Sequence, residues 1–239
     1  DIFSRIKEKV KSGQWEVMGN AWVEADTNIA SGESLIRQLL YGREFFLREF
    51  GIDSDTYWLP DCFGFTWALP QIIKKSGMKN FITAKLCAND TNAFLHSMFK
   101  WRSHSGDDVT AYFTRVSYQG EYDVGRVFEC RNGNRQSSIA DISFGMFGYG
   151  DGGSGSTTDM LERAEALKNI PGVPETVNSS AHEFFDEIGK KADEFPVYDG
   201  ELYFENHRGT FTSQAFVKKN NRRGEFALRN AEILSSAAE

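Results

Sequence analysis

The chain has 239 residues, 40% hydrophobic and 14% aromatic, ample for one sizeable core. Its net charge of −7 and pI near 5.3 exclude the basic patches of a general nucleic-acid binder and suit an acidic enzyme. Three scattered cysteines (Cys62, Cys87, Cys130) form no CxxC pair and read as reduced cytoplasmic thiols, and no run approaches the roughly 20 apolar residues of a membrane span. The chain opens with 1-DIFSRIKEKVKSG-13, an amphipathic helix pattern with Ile2, Phe3, Ile6 and Val10 on one face; no secretory signal is legible. The first residue is not Met and both ends read as helices, so an excised or processed segment is expected. The sequons at Asn89 and Asn178 carry little weight in that setting.

Next, 15-WEVMGNAWVEAD-26 reads as a strand and a loop. The stretch 31-SGESLIRQLLYGREFFLREFG-51 reads as a long helix, capped by Ser31 or Ser34 and stopped by Gly51, with Leu35, Leu39, Phe46 and Phe50 inward. A short strand, 56-TYWL-59, precedes a helix over Leu69, Ile72 and Ile73 closed by Gly77, and 81-FITAKL-86 is again a strand. Asp61 thus falls at the carboxyl end of a strand in a strand–helix–strand unit, where parallel α/β folds gather catalytic groups. The competing use of Asp61 is a helix N-cap.

Further on, 109-VTAYFT-114 is a strand leading into 115-RVSYQGEYD-123, and the polar segment 125–139 lacks a period and reads as a loop. The run 142-ISFGMFGYGDGGSGS-156 passes from apolar to glycine-rich and is followed by a helix at 157–168. A strand near 173–178, a helix at 180–191, the segment 198-YDGELYFENHRGT-210 and a helix from Thr212 to Ala238 complete the chain. Strands alternate with helices, which favours a parallel sheet wrapped by helices. Function then belongs in the loops 24–33, 61–65, 115–123, 149–156 and 205–210.

Asp61 and Asp151 both follow apolar runs and both enter turns, so they are candidates for the paired carboxylates of glycoside hydrolysis. Trp22, Trp58, Tyr118 and Tyr149 would stack on a sugar face. The competing use of Asp151 is a turn residue bonded to its own backbone. The loop 148-GYGDGGSG-155 lacks the Lys-Ser/Thr of a phosphate loop and the spacing of a dinucleotide fingerprint. His96, His104, His182 and His207 show no metal-binding spacing; His207 and Arg208 share a turn that suits a polar substrate.

Four blocks carry a family resemblance: 22-WVEADTNIASGESLIRQLLYG-42, 58-WLPDCFGFTWALPQIIKKSG-77, 149-YGDGGSG-155 and 201-ELYFENHRGTFTSQ-214. From about Gln14 to Ala231 the chain resembles glycoside hydrolase family 38, the α-mannosidases, in its cytosolic and vacuolar branch with bacterial relatives. The resemblance implies an incomplete seven-stranded β/α barrel, a parallel sheet surrounded by helices, over residues 1–210. Residues 211–239 would form a helix that starts a following helical domain. It implies a retaining, zinc-dependent hydrolase of mannose-containing oligosaccharides acting through a covalent mannosyl-enzyme. Asp61 matches the nucleophile, which also ligates zinc, and Asp151 best matches the acid/base. Lys85, Tyr118, His207 and Arg208 match substrate-side positions, with Trp58 beside them.

Family members also carry a His and an Asp on an upstream strand and a downstream Phe-His-Asp motif that bind zinc. Of those ligands this chain holds Asp61 alone, so the expectation is the central part of a catalytic domain, inactive by itself. The alternatives are a non-catalytic carbohydrate-binding fragment, or another metal-dependent barrel hydrolase such as a polysaccharide deacetylase, which needs His pairs absent here. No nucleic-acid or membrane partner is expected. A barrel short of a strand would expose an edge, which leaves homo-oligomerisation open.

Overall fold

A computed structural model describes residues 1–238. Five strands form one sheet: β1 (Thr56–Trp58), β2 (Asn80–Thr83), β3 (Met98–Arg102), β4 (Asp108–Phe113) and β5 (Val197–Asp199), in the order β1-β2-β4-β3-β5. Strands β1, β2 and β4 run parallel, with Tyr57 opposite Phe81 and Phe81 opposite Ala111. Strand β3 returns antiparallel to β4 and pairs in parallel with β5. The sheet is therefore mixed, where the alternation of elements predicts parallel strands throughout, and among the described residues it does not close on itself. The strand 98-MFKWR-102 escapes sequence analysis; it joins β4 through a tight turn at 103–107, which leaves no room for a crossover helix.

The helices are α1 (Ile2–Lys11), α2 (Gly32–Phe50), α3 (Leu69–Lys75), α4 (Val124–Gly133), α5 (Thr158–Leu167), α6 (Ala181–Gly189), α7 (Gly209–Thr212) and α8 (Ala215–Ala238). Helix α2 starts at Ser31, whose hydroxyl accepts from Ser34 N–H, and stops at Gly51 in the left-handed region at φ 69°. Every residue of β2 is buried, so its alternate side chains serve opposite faces. Phe81 joins Leu35 and Leu39 of α2, Leu69 and Ile73 of α3, Tyr57, Phe65 and Trp101 in the larger core. Ile82 joins Met98, Tyr112 and the α6 residues Phe184, Phe185 and Ile188 on the other face.

Three further expectations differ from the structure. Residues 15–21 form no strand: Gly19 donates to Thr56 O at 3.1 Å, but Gly19 and Asn20 have φ of 98° and 52°, which ends the extension. The segment 124–133 is helix α4, begun by Asp123 accepting from Arg126 N–H; with only Val127 buried, it has no apolar period to read. Residues 173–178 form no strand.

Helix α8 contributes no buried residue. Its contacts with the body are polar: Glu232 takes two hydrogen bonds from Arg37 of α2, Glu225 accepts from Ser31 N–H and Ser34 Oγ, and Arg222 donates to Ile29 O. Phe216 and Leu234 fall on the opposite side of the helix, and Val217 and Leu228 are exposed as well. No helix among the described residues is long and apolar enough to cross a membrane.

Candidate active site

Asp61 lies three residues beyond the end of β1. It is not a helix cap: α3 begins eight residues later, with Ala68 at its N-cap position. The turn after it is pinned by the core: Phe65 is buried against Phe81 and exchanges two backbone hydrogen bonds with Leu202. Lys85, just past the end of β2, forms an ion pair with Asp61 Oδ1. The pair is partly dehydrated, with side chains 18% exposed for Lys85 and 35% for Asp61, so it is stronger than a surface bridge. Lys85 Nζ also lies 4.9 Å from the centre of the Phe63 ring, an apolar wall that fixes the ammonium over the carboxylate.

Sequence analysis assigns no role to Glu24, yet its carboxylate accepts from the Asp61 backbone N–H. Burial raises its pKa above the ordinary glutamate value, and the neighbouring Asp61 charge adds to that rise while Lys85 opposes it. Glu24 gets there because the segment 20–24 straps onto α2. Trp22 N–H donates to Gln38 O at 2.9 Å and Val23 N–H to Gln38 Oε1 at 2.9 Å. The strap needs Gly42: a Cβ there would fall 2.4 Å from Asn20 O and 2.6 Å from Trp22 N. The following turn interlocks with the Asp61 loop, since Thr27 Oγ1 donates to Gly64 O at 3.2 Å and accepts from Thr66 N–H at 3.2 Å. Buried Cys62 donates to Ala25 O, and burial pushes its thiol pKa up, away from nucleophilic use.

Asp151 arrives on a different loop. Gly120 and Gly148 exchange two backbone hydrogen bonds of 2.8 and 2.9 Å, docking the glycine-rich loop on the segment after β4. Tyr118 Oη then donates to Asp151 Oδ1 at 2.7 Å and Gln119 Nε2 to Oδ2 at 3.1 Å. These two bonds, Tyr118 first, lower the Asp151 pKa below the ordinary aspartate value. Burial raises the Tyr118 phenol pKa, and the bond to Asp151 and the charge of Asp61 raise it further. One phenol therefore feels both carboxylates. Beyond it, Tyr149 Oη donates to Glu121, which also takes Arg163 Nη1 at 2.8 Å.

The remaining candidates divide. His207, at φ 58°, lies 4.7 Å from the Phe63 ring centre and so borders the wall that carries Lys85. Arg208 turns away: its Nε donates to Glu205 O at 2.7 Å and its guanidinium lies over Tyr203. Trp58 packs on the α6 side of the sheet with Met18 and Ile142, within the second core cluster. Trp22 packs edge-on to Phe45. The missed partners Glu24 and Gln119 each lie one or two residues from a candidate, but their roles depend on loops about 30 residues away.

Among the described residues, no three His, Cys, Asp or Glu side chains stand together as a metal site. Asp61 has Glu24 beside it and a lysine on one oxygen, so the described side chains do not complete a zinc site.

Comparison with known proteins gives a consistent pattern. Residues 1–201 match the glycosyl hydrolases family 38 N-terminal domain, and residues 205–239 match the alpha mannosidase middle domain. Alpha-mannosidase G of Dictyostelium discoideum is 42% identical over 240 residues, covering 100% of this chain and 22% of the relative. Alpha-mannosidase 2C1 of Homo sapiens is 40% identical over 238 residues, covering 99% of this chain and 23% of the relative. The Saccharomyces cerevisiae alpha-mannosidase is 37% identical over 247 residues, with shares of 99% and 23%. The chain thus spans less than a quarter of the length of these relatives. The crystal structure of an alpha-mannosidase from Enterococcus faecalis superimposes with a TM-score of 0.65 at 15% identity, covering 82% of this chain and 23% of that one. At that identity the likeness is one of fold.

Proposed function

We propose, given that this chain belongs to glycosyl hydrolase family 38, that it carries the catalytic carboxylates of a retaining α-mannosidase acting on mannose-containing oligosaccharides. The observation that carries this is that Asp61, Lys85 and Tyr118 all follow the carboxyl ends of the parallel strands β1, β2 and β4, where Lys85 pairs with Asp61 and Tyr118 with Asp151. Asp61 is the nucleophile that forms the mannosyl-enzyme. The Lys85 ammonium pairs with its carboxylate and orients it, and the Glu24 bond to its backbone fixes the turn. Asp151 protonates the leaving oxygen and later deprotonates the attacking water. Tyr118, Lys85 and His207 border the sugar, Arg208 holds the His207 turn through Glu205 O, and Trp58 packs in the core on the α6 side of the sheet.

A zinc ion, which the resemblance implies, would take one ligand from Asp61 and would need its others from outside these residues. A barrel arrangement of the complete domain, an α-helical unit starting near residue 211, and a cytoplasmic location belong to the same reading. The three free cysteines support that location.

The test is Asp61→Asn in the full-length natural polypeptide. Hydrolysis of an aryl α-mannoside is expected to fall by about 10⁴-fold or more, while binding of mannose, followed by calorimetry, persists. Turnover within tenfold of wild type would sink the assignment.

A further inference from the structure

The loop that carries Asp151 also decides which of its oxygens can hold a proton. Gly150 N–H, which can only donate, donates to Gln119 Oε1 at 2.9 Å. That bond fixes the amide orientation, so the Gln119 NH₂ group, a donor only, faces Asp151 Oδ2 at 3.1 Å. A proton on Oδ2 would set hydrogen against hydrogen. On Oδ1 the partner is the Tyr118 hydroxyl, 2.7 Å away, which can give or take a hydrogen bond.

The clamp is built for this contact. Gln119 O accepts from Arg126 Nη2 at 2.8 Å, and the flanking Gly120–Gly148 bridge sets the register of the two segments. A Cβ at Gly150 would fall 2.6 Å from Gln119 Oε1, so any larger residue there would displace the Gln119 amide. Asp151 itself sits at φ 57°, in the left-handed region that aspartate enters more readily than most residues.

We propose that Gln119 is a positioning residue for proton transfer: its amide keeps Asp151 Oδ2 a permanent acceptor and confines the transferable proton to Oδ1. This rests on the assignment of Asp151 as acid/base. In the first step the Oδ1 proton moves to the glycosidic oxygen as its bond to the anomeric carbon breaks and Asp61 bonds to that carbon. In the second, water oxygen bonds to the anomeric carbon, its proton returns to Oδ1, and the bond to Asp61 breaks. No other reactant is needed. Between the steps Asp151 is a carboxylate and the Tyr118 hydroxyl donates to its Oδ1; between turnovers the proton rests on Oδ1.

The experiment compares wild type, Gln119→Ala, Gln119→Glu and Asp151→Ala in the full-length polypeptide, on phenyl and 2,4-dinitrophenyl α-mannosides. The dinitrophenolate leaves without help from an acid, whereas phenol does not. Gln119→Ala is expected to lower kcat/KM about ten- to a hundredfold on the phenyl substrate, part of the 10²–10⁴ a positioned proton donor supplies, and less than about threefold on the dinitrophenyl one. Gln119→Glu keeps the shape but sets a carboxyl against Oδ2, so the two must share a proton and the alkaline limb of the pH profile, where Asp151 loses its proton, moves upward. Equal losses on both substrates in Gln119→Ala, or an unmoved profile in Gln119→Glu, would overturn the inference. Asp151→Ala separates the two levels. If it discriminates between leaving groups and Gln119→Ala does not, only the role of Gln119 falls; if Asp151→Ala does not discriminate either, the acid/base assignment falls first.

Discussion

The loops at the carboxyl ends of β1, β2 and β4 and the helix α8 distribute polarity in opposite ways. In the loops, charged groups are drawn together over an apolar floor: Lys85 lies on Asp61, both beside the Phe63 ring, above a core of Phe65, Phe81 and Trp101. In α8 Glu225 and Glu232 tie the helix to the body, while Phe216, Val217, Leu228 and Leu234 stay exposed. The first arrangement costs desolvation and is kept only where a rigid core enforces it. The second gains little from burial, so its attachment depends on ion pairs that salt weakens. Position in the sequence pattern does not separate the two; the surroundings do.

The sharpest way to break that comparison is to remove the floor. Phe81 is fully buried, packed on Tyr57, Phe65 and Trp101, so Phe81→Ala is expected to cost about 3–5 kcal/mol in urea denaturation. A loss under about 1 kcal/mol would mean that the sheet does not hold the Asp61 loop.

A smaller effect tests the tie between the Lys85 and His207 segments. Buried Glu205 accepts from Thr91 N–H at 2.6 Å and from Asn92 N–H at 2.7 Å, and these bonds lower its pKa below 4.5, Thr91 first. A folded-state pKa below the unfolded one gives stability that is complete above the unfolded value and fades as pH falls through the folded one. Wild type should therefore melt above Glu205→Gln at pH 7, with the two curves converging below about pH 4. Parallel curves across that range would remove the carboxylate from the account. The smallest effect belongs to α8. Raising salt from about 0.1 M to about 1 M shortens the screening length to about 3 Å, and amide protection in α8 should fall while that of β2 stays unchanged. Salt-independent protection of α8 would show an apolar attachment.

Much of the site was legible because its signals are local. Ser31 and Gly51 bracket α2, and the strand before Asp61 is short, aromatic and buried, so the carboxylate falls at a strand end. Its neighbours were harder. Glu24 reaches Asp61 only because Gly42 lets the 20–24 strap lie on α2, and Gln119 meets Asp151 only through the Gly120–Gly148 bridge. Neither contact has a periodic trace. Helix α4 was missed for want of an apolar face, and the segment 15–21 mimics a strand in composition yet bends at Gly19 and Asn20. The antiparallel return of β3 follows from a five-residue turn, which alternation of elements does not encode.

The account stands most directly on a covalent bond at Asp61. Full-length enzyme incubated with a 5-fluoro-α-mannosyl fluoride, which forms the glycosyl-enzyme faster than water removes it, would be digested and sequenced by mass spectrometry. An adduct of one fluoromannosyl group on Asp61 is the predicted result. An adduct on another residue, or continued turnover with no adduct, would contradict it.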